Sequence, residues 1–101
     1  MGRWLVTALV RGPSMVPTLR DGDAVLARRG GRAPRPGDVV LARFPSRPDL
    51  LVIKRIVRGE SPGLYWIQGD NELVADDSRR YGPAAIEARV VFTWWPRLKR
   101  L

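Results

Sequence analysis

The chain has 101 residues and a formal net charge of +8, from 18 Lys and Arg against 10 Asp and Glu. It contains no Cys and no His, which excludes disulfides, a Ser-His-Asp triad, a Cys-His pair and a zinc site built on either residue. The length suits one modest core, so residues 1–101 are expected to form a single domain, and a 45% hydrophobic content excludes a disordered tail.

The first element is the apolar run Trp4-Leu5-Val6-Thr7-Ala8-Leu9-Val10. A spanning helix needs about 20 residues, so this run reads as a first strand or short helix, with contact to a membrane surface as its functional alternative. Ala24–Ala27, Asp38–Phe44, Leu50–Val57, Gly63–Gln68 and Arg89–Trp95 read as strands. Most are rich in β-branched or aromatic residues, and Gly, Pro or Asp fill the gaps between them. Short, closely spaced strands predict a mostly antiparallel β fold, a half-closed barrel, with helix confined to short turns. Those turns are expected after Pro17-Thr18 or near Pro83-Ala84-Ala85-Ile86. The tract Arg28–Pro36 holds only Arg, Gly and Pro with one Ala, and reads as a mobile surface loop.

Without histidine, hydrolysis needs another base, and lysine is the main candidate. Only Lys54 and Lys99 are available. Lys54 lies in the apolar stretch Leu51–Val57, where strand alternation puts it on one face with Val52 and Ile56. An ammonium on an apolar face is desolvated, and its pKa falls toward neutrality. The bland alternative is an edge-strand lysine reaching to water. Ser14 stands between Pro13 and Pro17 in Gly12-Pro13-Ser14-Met15-Val16-Pro17-Thr18-Leu19. Such a restricted turn can hold a hydroxyl at a cleft edge, with neighbouring amides aimed at an oxyanion; alone it is also an ordinary Pro-rich turn. A third piece is Gly69-Asp70-Asn71 with Asp76-Asp77-Ser78-Arg79-Arg80-Tyr81-Gly82. Its Asp, Ser and Arg can form charge-assisted bonds that stiffen a site wall, or simply make a solvated loop.

In order, Ser14-Met15-Val16-Pro17-Thr18, Gly37-Asp38-Val39-Val40, Lys54-Arg55, Gly69-Asp70-Asn71 and Asp77-Ser78-Arg79-Arg80-Tyr81-Gly82 resemble the type I signal peptidase family from about Gly12 to Trp95. The resemblance implies a signal-peptidase-like catalytic β fold and a Ser–Lys dyad, with Ser14 as nucleophile and Lys54 as general base. It implies an endopeptidase that removes an N-terminal leader from a precursor lying extended beside a strand of the site. Gly12, Met15, Asp70, Asn71, Asp77, Ser78 and Arg79 would support the oxyanion and the site walls. The pattern departs from the family at two positions. Gly12 stands where many members carry an oxyanion-assisting hydroxyl, leaving backbone donors or water. Ala75 stands where the family has a serine that bonds the lysine, so the backbone, Ser78 or a water would have to orient Lys54. The short, anchorless length and Trp94-Trp95-Pro96 are similar to the subgroup of nickel-type superoxide dismutase maturation proteases.

No cofactor or metal is expected, and the site is placed in the cytoplasm or at a membrane periphery, without a spanning segment. One rival reading is a self-cleaving repressor domain, which would need a DNA-binding domain ahead of Ser14. Another is a basic β-barrel binding single-stranded nucleic acid through Arg and Trp4, Trp66, Trp94 and Trp95. A third is a non-catalytic partner subunit of a peptidase. A nucleic-acid binder wants its lysines exposed, whereas a dyad base must be buried; on this ground no nucleic-acid partner is expected.

Overall fold

A computed structural model describes residues 4–101, so the first three residues of the expected domain lie outside it. The strands are β1 (Leu5–Leu9), β2 (Ala24–Arg28), β3 (Val39–Phe44), β4 (Arg47–Ser61), β5 (Leu64–Gln68), β6 (Ala85–Trp95) and β7 (Lys99–Arg100), with one short helix, α1 (Ser78–Tyr81). All pair antiparallel in the order β1-β2-β6-β3-β4-β5, and β7 adds to the end of β6. The fold is thus mostly β, as the strand spacing predicts.

The burial of β3 explains its composition. Val39-Val40-Leu41-Ala42-Arg43-Phe44 is apolar on both faces because both are covered. Val39 and Leu41 join one core with Val10, Met15, Leu19, Val25 and Val90. Val40, Ala42 and Phe44 join a second with Ile56, Ile67 and Ala84. Lys54 pairs with Val40 across the ladder. The side chains two residues to either side behave as alternation requires: Ile56 is part of the second core and Val52 packs against it.

β4 is longer than expected because its halves have different partners. Leu51–Arg55 pair with β3, whereas Arg55–Ser61 pair with β5 through the Pro62-Gly63 turn. The helix expected near Pro83–Ile86 does not form there. Ala84 bridges to Tyr65 and Ala85 opens β6. Helix forms at Ser78 instead, where the Asp77 side chain caps the Arg79 N–H, and Gly82 ends it at a positive φ of 81°. After Ser14 there is one turn, closed by the Leu19 N–H on the Met15 carbonyl, and no continuing helix. The Arg-rich loop is exposed but anchored: Asp38 takes two bonds from the Arg32 guanidinium and one from the Arg35 N–H. β7, which the sequence did not suggest, closes the C-terminus onto Phe92 and Thr93.

Candidate functional site

Ser14 and Lys54, 40 residues apart, meet at one place. Lys54 Nζ donates to Ser14 Oγ at 2.7 Å, and Lys54 is only 5% exposed. Burial pulls the lysine below its ordinary pKa. Asp77 and Asp76 oppose that shift by their negative charge, while the Arg79 guanidinium adds to it.

The turn that carries Ser14 is held from several sides. The Gly12 N–H donates to Asp21 Oδ1 at 2.7 Å. The Asn71 N–H donates to the Ser14 carbonyl, and Asn71 Nδ2 to the Pro13 carbonyl at 3.0 Å. Met15 is fully buried and roots the turn in the first core. Gly69 passes so close that a Cβ there would stand 2.5 Å from the Ser14 carbonyl oxygen. Glycine is therefore required at this position by space rather than by φ. The Ser14 amide has no acceptor among the described residues, whereas the Gly12 amide is already occupied by Asp21.

The polar wall is built on two carboxylates. Asp77, fully buried, accepts from the Gly69 N–H, the Arg79 N–H and the Arg79 guanidinium. Burial alone would push its carboxyl up, but these donors hold it below the usual range. Asp70 accepts both arms of Arg55 at 2.8 Å and the Thr18 hydroxyl at 2.6 Å. The Arg55 guanidinium, opposed by burial and helped by Thr18, keeps Asp70 ionised to lower pH. Asp70 thus ties the turn that carries Ser14 to the strand that carries Lys54. Ser78 Oγ accepts from the Ile67 N–H, so it fastens α1 to β5. Ala75 is exposed, and among the described residues the hydrogen bond of Lys54 is the one to Ser14.

Thr18, Arg55 and Asp21 were not singled out as site residues in the sequence. Thr18 and Arg55 belong to the quoted motifs, but only the fold shows that they share Asp70. A larger cavity, about 640 Å³, lies beside Thr18, Asp21, Thr93 and Lys99 and holds neither Ser14 nor Lys54. Ser14 and Lys54 line a smaller cleft of about 210 Å³ between Leu9-Val10-Arg11 and Leu50-Leu51-Val52-Ile53. Both walls are strand edges. Among the described residues β1 pairs with β2 alone, and β5 begins pairing with β4 at Arg55.

No group of His, Cys, Asp or Glu suited to a metal ion occurs among the described residues. None of the described helices is long and apolar enough to cross a membrane.

Comparison with known proteins agrees with this geometry. The Peptidase S24-like family matches residues 4–91. The chain is 37% identical to the mitochondrial ATP-independent inner membrane protease subunit 1a of Arabidopsis thaliana, over 89% of this chain and 70% of that protein. It is 34% identical to the mitochondrial inner membrane protease subunit 1 of Mus musculus and to that of Homo sapiens, in each case over 84% of this chain and 66% of the relative. The chain spans about two thirds of the length of these relatives. On these matches the chain belongs to the Peptidase S24-like family, as a signal-peptidase-like protease.

Proposed function

We propose that the protein is a serine endopeptidase that uses Ser14 as nucleophile and Lys54 as general base to remove an N-terminal leader from a precursor protein. The observation that carries this reading is the 2.7 Å approach of a buried Lys54 Nζ to Ser14 Oγ. With Lys54 neutral, the Ser14 hydroxyl donates to its lone pair. As Oγ attacks the scissile carbonyl, the proton passes to Nζ, and the open Ser14 amide meets the developing oxyanion. The resulting ammonium returns a proton to the leaving amine. A water, deprotonated by the same amine, then releases the acyl group from Ser14.

The cleft supports an extended substrate, because its two walls are unpaired strand edges that an added strand can join. Burial of Lys54 also favours this reading over the nucleic-acid one, which needs exposed cations. Membrane contact through Trp4–Val10 is part of the same proposal, and Trp4 and Leu9 are exposed there. Processing of a metalloenzyme precursor, as in the nickel-type superoxide dismutase maturation subgroup, is its narrowest form.

The test is incubation of wild type, Ser14→Ala and Lys54→Arg with a panel of precursor peptides, read by mass spectrometry. Wild type should cut at one bond. Both variants should lose roughly 10³-fold or more in rate, since a guanidinium does not deprotonate and cannot act as base. Cleavage by either variant at the wild-type rate would remove the dyad.

A further inference from the structure

We infer that Arg11 is a specificity-determining residue that selects a substrate carrying a carboxylate close to the scissile bond. The inference rests on the proteolytic reading above. The cleft beside Ser14 is walled chiefly by apolar residues, among them Leu9, Met15, Leu51 and Ile53. Arg11 and Lys54 are its two charged residues. Lys54 is buried against Ser14, so only Arg11 has a charge to offer a substrate side chain. Arg11 is exposed and has no ion-pair partner among the described residues.

Its placement is fixed by the backbone. The Val10 N–H donates to the Asp23 carbonyl, and the Val10 carbonyl accepts from the Gly22 N–H, which continues the β1–β2 pairing past Leu9. Val10 is buried in the core, so alternation sends Leu9 and Arg11 to the opposite side. The next residue is also held, by the bond from Gly12 to Asp21. Arg11 is thus a guanidinium at the rim of an otherwise apolar slot, three positions ahead of the nucleophile. An extended peptide in the gap would lie along this edge and present alternate side chains to it. A neutral side chain beside Arg11 gains nothing from the charge, a lysine is repelled, and an aspartate or glutamate is attracted.

The experiment measures kcat/KM on one cleavable precursor peptide and on versions carrying Asp or Lys singly at each of the three positions on either side of the cut. Wild type, Arg11→Gln and Arg11→Glu are compared, with Ser14→Ala as the control. At one or two positions the wild type should prefer Asp over the neutral residue by roughly two- to fivefold, the range of a partly exposed ion pair. That preference should shrink as salt rises. Arg11→Gln should bring the Asp-to-neutral ratio near one, and Arg11→Glu should invert it in favour of Lys at the same positions. Equal Asp-to-neutral ratios in wild type and Arg11→Glu, or a preference indifferent to salt, would overturn the inference while leaving the protease reading intact. Failure of the wild type to cut any peptide, or equal cutting by Ser14→Ala, would instead overturn the protease reading and this inference with it.

Discussion

A lysine with almost no exposed surface costs folding free energy, and the bond to Ser14 with the negative charge of Asp77 and Asp76 offsets only part of that cost. The sign follows from its lowered pKa. The folded protein holds the proton less well than the unfolded chain, so stability rises with pH between the folded and the ordinary lysine values. Below that window the penalty is fully present. Lys54→Met should therefore melt higher than wild type at pH 7, with an advantage that shrinks toward pH 10 and above. Thermal melts across pH check this; a Met variant less stable at pH 7 would show that the ammonium is held by something stronger than Ser14. The wild-type cleavage rate should rise with pH through the same lowered value, because only the neutral amine accepts the serine proton. That Lys54 is buried and that it meets Ser14 could be anticipated from the sequence, because the absence of His left few bases and an apolar strand flagged one of them. The Thr18–Asp70–Arg55 connection could not, because three polar residues separated by up to 52 positions have no local signature.

Between the strands, the loop from Gly69 to Gly82 does the positioning. Asp77 gathers donors from β5's exit at Gly69 and from the start of α1, so one buried carboxylate sets both ends of the loop. Asp77→Ala leaves those donors without an acceptor and removes the helix cap. It should cost about 2–4 kcal/mol and lower kcat together with Tm. An unchanged Tm would show the loop to be held from elsewhere. Gly69→Ala tests the loop differently. Its Cβ would meet the Ser14 carbonyl at 2.5 Å, and relief by backbone movement costs roughly 1–3 kcal/mol. The displacement falls on Ser14, the proposed nucleophile, so kcat should drop by more than the loss of stability alone implies, as rates measured well below the melting temperature would show. Strand positions here were readable from alternation and turn residues. The helix was misplaced because Pro83 and two alanines favoured it locally, whereas pairing of Ala84 with Tyr65 decided otherwise. The two-residue β7 was invisible, since Lys99 and Arg100 carry no apolar pattern and are held by β6.

At the scale of the molecule, the sheet order sets β1 and β4 apart, with β2, β6 and β3 between them. Yet Leu9-Val10-Arg11 and Leu50–Ile53 line one cleft. The sheet therefore curls enough to bring 9–11 near 50–53. Ser14 and Lys54 line this same cleft. An extended peptide bound there should close the ring by pairing with both edges at once. Ser14→Ala provides a form that binds without turnover, since only one oxygen is removed. Hydrogen exchange on this variant, with and without a precursor peptide, should show new protection in 9–11 and in 50–53 together. A peptide at 100 times its Kd should also add about 2.7 kcal/mol to stability. Protection on one edge alone would mean that the peptide lies against a single strand, and the barrel would remain open during the reaction. Protection on neither, with cleavage intact, would place the substrate outside the gap and sever the link between sheet curvature and catalysis.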